Sequence, residues 1–190
     1  MHTKEGHIPG EPGLWIVIIG DMLVFALMFG LYLQYRADAP ELFAQSQNRL
    51  SVGFGLANTL VMLTSSVVVV AGVLAARSGR PDITRRAFAV AMALGLVFVT
   101  LKGFEWGSKI NRNIVPSTND FFMFYYVLTG IHLMHVLVGI VVLGILRQVV
   151  ARGATAGISL AFVEGGAVFW HMVDMIWLVL FPLVYLAHSS

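Results

Sequence analysis

The last hydrophobic stretch of the chain carries the side chains best suited to chemistry. Glu164, His171 and Asp174 stand in an apolar run that is predicted to be helical from about 158 to 188. Residues seven apart in a helix return to nearly the same face, and Asp174 follows one turn later, so the three side chains form one polar stripe. Ionisable groups inside a membrane cost roughly 2.5–3.5 kcal/mol each on insertion scales, so such a stripe faces protein or water and has a role by default.

A second group of polar side chains lies in the preceding hydrophobic stretch. His132 and His135 are three residues apart and share a helix face, with Thr129 one turn before them and Gly139 one turn after. Together with His171 they could hold haem iron or a transition metal. Histidine-box diiron enzymes use many more histidines, however, and the chain has no His-Glu-x-x-His motif, so hydrogen bonds to acidic residues are favoured over ligation. The acidic candidates are Asp21, Glu164 and Asp174.

Two further acidic residues stand in other hydrophobic stretches. Asp21 lies one or two turns inside the first stretch, where it either bonds to a neighbouring helix or is a protonatable site on a proton path. Lys102 and Glu105 are three residues apart near the end of the third stretch, followed by Trp106. This spacing predicts an ion pair on the helix surface close to the membrane boundary, with the tryptophan as an anchor.

The composition explains why these polar residues are embedded in apolar sequence. Of the 190 residues, 58% are hydrophobic and 12% are charged, and the mean hydropathy is +0.83. Soluble domains are about a quarter charged, so the chain is predicted to be an integral membrane protein. The pI of about 9.2 comes from basic residues scattered through short loops, which does not indicate a nucleic-acid surface. The absence of cysteine excludes disulfides, thiolate metal sites and a cysteine nucleophile.

Five stretches are long and apolar enough to cross about 30 Å of hydrocarbon as helices. We predict an all-α bundle of five transmembrane helices in a single domain, 14–190, after a polar lead-in, 1–13, that does not resemble a signal peptide. The predicted spans are 14–35, 52–76, 86–106, 121–147 and 158–188.

The basic residues also predict the orientation in the membrane. Seven lysines and arginines fall on the N-terminal side of the predicted spans and five on the other side. The four arginines between positions 77 and 86 decide this balance, because cytoplasmic loops carry the excess of positive charge. We therefore expect the N-terminus in the cytoplasm and the C-terminus outside.

Two motifs give the chain a resemblance to a known family. Thr129-Gly-Ile-His132-Leu-Met-His135 with Gly139 resembles the Thr-Gly-x-His-x-x-His-x-x-x-Gly pattern of subunit III of haem–copper cytochrome c oxidases. The last helix resembles the same family's signature of glutamate, tryptophan, histidine, aspartate and tryptophan. Its members here are Glu164, Trp170, His171, Asp174 and Trp177. Weaker matches are Asn58-Thr59, Ser65-Ser66, Glu105-Trp106 and Arg147-Gln148.

The resemblance implies a non-catalytic subunit of the bacterial inner membrane that binds neither haem nor copper. It implies packing against a catalytic subunit I that holds those cofactors, binding of phospholipid, and support of proton uptake from the cytoplasmic side. Asp21 stands where the family usually has a carbodiimide-reactive glutamate and is the proton-handling candidate, and Arg147 is the candidate for lipid binding. We expect the remaining polar residues to form a buried network: Glu105, Thr129, His132, His135, Glu164, Trp170, His171 and Asp174.

Several alternatives remain open at the level of sequence. Five spans, where the mitochondrial form has seven, match the short bacterial type that lacks the first two helices. The lead-in 8–15 and Gly20-Asp21-Met22 resemble the NorE-like branch associated with nitric oxide reductase. From other classes, the acidic and histidine pairs also fit a small proton-coupled transporter, although inverted repeats and broken helices are not evident. A membrane haem or metal enzyme would use His132, His135 and His171.

Overall fold

The computed structural model describes residues 12–151 and 160–186, and this part of the chain is almost entirely helical. Connections within it are short, the longest being 111–119. The last helix, Leu160–Phe181, continues into a wider helical turn, Pro182–Leu186, which brings Tyr185 back towards the bundle. The helices are α1 (Pro12–Asp38), α2 (Pro40–Gln47), α3 (Val52–Arg77), α4 (Pro81–Ile110), α5 (Asp120–Ala151) and α6 (Leu160–Phe181).

The prediction of an all-α membrane bundle is confirmed. Among the described residues, five helices are long and apolar enough to cross a membrane: α1, α3, α4, α5 and α6 with its terminal turn. The third span begins earlier than predicted, at Pro81, because proline is well tolerated at the first position of a helix. The lead-in to residue 11, the connection 152–159, and the residues after 186 lie outside the described part.

The short helix α2 was not predicted. It begins at Pro40, has Glu41 in its first turn, and covers only eight residues. A helix of that length gives no membrane-span signal in a hydropathy pattern. Its buried Phe43 packs edge-on against Tyr32 of α1 and Phe121 of α5, so α2 closes one end of the bundle.

The helices are packed very unevenly. In the most apolar stretch of α6, 61% of the residues are buried, whereas only 11% are buried in that of α1. Helices α3, α4, α5 and α6 surround a common core, and α1 lies against the outside of α5 and α6. The core is therefore a four-helix unit with α1 as a peripheral fifth helix.

Two glycines let the core helices approach closely. The indole of Trp170 on α6 is fully buried and fills the space beside α4 and α5. A Cβ atom added at Gly139 would lie 2.7 Å from this ring, and one added at Gly95 would lie 2.9 Å from it. Small residues that permit such approach are the main device by which helices associate in lipid. The glycine that ends the α5 motif thus packs against the tryptophan of the α6 motif.

Candidate polar core of the bundle

The predicted polar stripe of α6 faces α3. Glu164, only 3% exposed, accepts hydrogen bonds from Arg77 at the end of α3, at 2.8 Å from Nη2 and 2.9 Å from Nε. Two turns further along the same face of α6, His171 Nδ1 lies 2.7 Å from Ser66 Oγ. Asp174 is buried beside Ser66 and His171, and its Oδ1 has no hydrogen-bond partner among the described residues. The stripe therefore joins two helices and does not form one converged site.

The same interface continues towards the other end of α6. Trp177 Nε1 donates to Thr59 Oγ1 at 3.0 Å, and the Thr59 hydroxyl donates in turn to the backbone carbonyl of Gly55 at 2.9 Å. Both Trp177 and Thr59 are buried. The antiparallel helices α3 and α6 are thus connected by side-chain hydrogen bonds at three depths, and this set of contacts is called the α3–α6 ladder below.

A second polar group, the Lys102 cluster, lies at the end of α4. Lys102 Nζ donates to Glu105 Oε2 at 2.9 Å and to the Tyr185 hydroxyl at 2.6 Å. The Tyr185 hydroxyl donates to both carboxylate oxygens of Glu105, at 2.8 and 2.9 Å, and Lys109 Nζ lies 3.7 Å from Oε1. The predicted pair forms between residues three apart on α4, and it is buried, since Lys102 is 0% and Glu105 1% exposed.

Aromatic rings enclose the ammonium group of Lys102. Its Nζ lies 4.9 Å from the ring centre of Trp177, 5.3 Å from that of Tyr125 and 5.2 Å from that of Tyr185. The faces of such rings attract a cation, and the attraction is larger where water is excluded. These partners could not be predicted from the sequence, because Tyr185 is 83 residues beyond Lys102 and lies on a terminal turn.

The two histidines of α5 have different surroundings. His135 Nδ1 donates to the Ile131 carbonyl at 2.8 Å, and its Nε2 lies 3.3 Å from Asp21 Oδ2 on α1. Of the two α5 histidines, His135 is thus the one in contact with Asp21. His132 is fully buried between Phe98 and Trp177, with ring centres 5.5 and 5.2 Å away.

The corresponding prediction for His132 was wrong. Neither of its ring nitrogens has a hydrogen-bond partner among the described residues, and hence none of the three acids binds it. The reason is that the His132 side chain lies between aromatic rings of α4 and α6. The three acids lie elsewhere, one on α1 and two on the face of α6 that contacts α3. His171 contacts Ser66 in the α3–α6 ladder.

The described residues contain no group of three or more histidine, cysteine, aspartate or glutamate side chains that could hold a metal ion. The three intramembrane histidines face different neighbours, and both ring nitrogens of His135 are already engaged. The geometry therefore does not favour the metal-enzyme alternative.

Two predicted members of the network are buried but have structural contacts of their own. The Thr129 hydroxyl donates to the carbonyl of Tyr125, one turn earlier, at 2.6 Å. Trp170 Nε1 has no hydrogen-bond partner in the described part of the chain, and its ring serves as packing between glycines. Neither residue joins the charged groups.

Arg147, the lipid-binding candidate, lies in the last two turns of α5. It lines a cavity of about 290 Å³ together with Asp82, Arg85 and Arg86 from the first turns of α4. Three guanidinium groups and one carboxylate give this cavity an excess of positive charge. Such a cavity at a membrane boundary suits a phosphate-bearing group.

Comparison with known proteins gives one consistent result. The sequence profile of the family "Cytochrome c oxidase subunit III" matches residues 2–189. Similar proteins include cytochrome bo(3) ubiquinol oxidase subunit 3 of Buchnera aphidicola subsp. Schizaphis graminum, 31% identical over 92% of this chain and 92% of that protein. Cytochrome c oxidase subunit 3 of Synechocystis sp. is 29% identical over 97% of this chain and 79% of that protein. A heme-copper oxidase subunit I+III of Aeropyrum pernix is 25% identical over 91% of this chain and 22% of that protein.

Proposed function

Since the chain belongs to the cytochrome c oxidase subunit III family, we propose that it is a non-catalytic accessory subunit of a haem–copper oxidase complex in a cell membrane. The observation that carries this proposal is the use of the family motifs inside the fold. Glu164, His171 and Trp177 bind α3, and Trp170 packs against Gly139. These residues hold the helices of the bundle together.

The catalytic partner supplies the haem and copper in this account. The relative named as a heme-copper oxidase subunit I+III supports the pairing, because its name joins the two subunits in one protein. The residues of the present chain then have three tasks: they keep the bundle in shape, they present a surface to the catalytic subunit, and they handle protons near that surface.

We assign the proton-handling role to Asp21. His135 Nδ1 donates to a backbone carbonyl, so a neutral imidazole would have only a lone pair at Nε2. The 3.3 Å contact between Nε2 and Asp21 Oδ2 then contains a hydrogen only if the imidazole or the carboxyl group carries an additional proton. An imidazole and a carboxyl group in contact can pass a proton between them, which supports this role.

Phospholipid binding by Arg147 and the orientation in the membrane are finer parts of the proposal. The basic cavity at the ends of α4 and α5 supports a lipid headgroup near Arg147. The same arginines support a cytoplasmic location for this end of the bundle, with the N-terminus inside and the C-terminus outside, in a bacterial inner membrane.

The identity of the terminal electron acceptor is a separate question. The NorE-like alternative, an accessory protein of nitric oxide reductase, would use the same fold and differ in its partner. The transporter alternative is disfavoured because Lys102, Glu105 and Asp174 are buried within the packed core.

Co-purification tests the proposal. An affinity-tagged chain extracted in mild detergent should retain a larger subunit with a haem absorption spectrum and oxygen-reducing activity. A retained partner that reduces nitric oxide instead would support the NorE-like alternative. A stable chain that never associates with a haem protein would contradict the accessory role, and proton flux in proteoliposomes of the isolated chain would favour a transporter.

A further inference from the structure

Asp21 of α1 is more exposed than the carboxylates in the interior of α4 and α6. The side chain of Asp21 is 29% exposed, whereas Glu105 is 1%, Glu164 3% and Asp174 4% exposed. Asp21 lies nine residues beyond Pro12, where α1 begins, which places it about 13 Å along the helix at 1.5 Å per residue. A carboxylate exposed to acyl chains at that depth is unfavourable by several kcal/mol, so protein or water must cover it.

The burial pattern of α1 shows where the cover is absent. The buried residues Ile18, Phe25 and Tyr32 are seven apart and form one narrow stripe against the bundle. Val17 and Val24, one turn before and after Asp21, are 53% and 49% exposed. Asp21 therefore lies at the boundary between the packed stripe and an open flank.

An apolar groove begins at Val17, one end of this flank, and continues towards the start of α1. The cavity has a volume of about 420 Å³ and is lined by Val17 of α1 and by Val138 of α5, each one turn from the Asp21–His135 pair. From α6 it is lined by two phenylalanines and by Ala161, Gly165 and Gly166, and these small residues permit close approach of another helix backbone. An acyl chain would fill the groove but would offer no hydrogen-bond donor to Asp21, which lies one turn beyond Val17.

On the basis of the accessory-subunit function above, we propose that the α1 flank of Val17, Asp21 and Val24 is the docking surface for a transmembrane helix of the catalytic partner. That helix places a hydrogen-bond donor opposite Asp21. A helix with a donor satisfies both parts of the surface, since its apolar side chains fill the groove and its polar group covers the exposed carboxylate.

Photocrosslinking in native membranes tests this surface directly. Benzoylphenylalanine is introduced in place of Val24, and in two controls in place of Ile19 or Val67, which are 60% and 70% exposed. Ile19 lies on the opposite side of α1, and Val67 lies on the outer face of α3. We expect Val24 to give a crosslink to the haem-containing subunit, identified by mass spectrometry, and the α3 control to give none. Crosslinks from Val24 to lipid alone would overturn the proposal.

A steric block gives a second, independent test. Val24→Trp should reduce the haem subunit retained by the tagged chain about tenfold, whereas the matched Val67→Trp leaves it unchanged. Equal retention by both variants contradicts the docking surface. If the unmodified chain retains no haem subunit at all, the accessory function itself fails, which separates the two conclusions. A Val24→Trp chain that does not fold leaves the photocrosslinking result to decide.

Discussion

Two of the carboxylates in the membrane helices, Glu105 and Asp21, have partners whose surroundings are opposite. Lys102 and Glu105 are 0% and 1% exposed and are held by Tyr185 and by three aromatic rings. Asp21 and His135 are 29% and 11% exposed, lie at 3.3 Å, and join the peripheral helix α1 to the core. The enclosed pair contributes to the stability of the bundle, whereas we propose that the partly open pair exchanges protons.

The largest effect is expected from breaking the enclosed pair. Glu105→Leu leaves the Lys102 ammonium buried without its carboxylate, which should destabilise the folded chain by about 3–5 kcal/mol. Fluorescence-detected size exclusion and thermal melting in detergent would measure this loss. The double variant Lys102→Leu/Glu105→Leu is the control, because replacing both charges by apolar groups should recover most of the folded protein. An equally poor double variant would mean that the lost packing around Tyr185, and not an unpaired charge, is responsible.

The second prediction compares helix packing in the core with helix packing around the peripheral helix α1. Gly139→Ala places a Cβ atom 2.7 Å from the Trp170 ring and should destabilise the chain by about 1–3 kcal/mol through overpacking. Gly20→Ala in α1 is the matched control, because nothing lies within 4 Å of the added atom. The melting temperatures of the two variants provide the measurement. Equal shifts would show that α1 is packed as tightly as the core.

A smaller effect on stability and a clear one on assembly are expected for Asp174→Leu. The substitution removes the buried carboxylate beside Ser66 and His171 in the α3–α6 ladder. It should lower the yield of the assembled complex more than it lowers turnover per assembled complex, because the ladder fixes helix positions. Normal assembly together with lost proton uptake would instead assign direct proton conduction to this residue.

The sequence was sufficient for the fold and for part of the polar core. Hydropathy located five spans, since a long apolar helix can be recognised without tertiary information. The helical period of α6 placed Glu164 and His171 on one face, and both residues contact α3. The enclosure of Lys102 was not predictable, because it depends on Tyr185 in a terminal turn distant in sequence. The surroundings of His132 were not predictable either, since spacing along one helix does not say which side chains of other helices face it.

The most direct test concerns Asp21, because the account assigns proton handling to the open pair and stabilisation to the enclosed one. Asp21→Asn keeps the size of the side chain and an oxygen that accepts a hydrogen bond, but it cannot take up or release a proton. Proton uptake during turnover is then measured on purified complexes with equal haem and equal content of this subunit. The account predicts slower proton uptake by the variant with assembly intact. Proton uptake equal to that of the unmodified complex would contradict it.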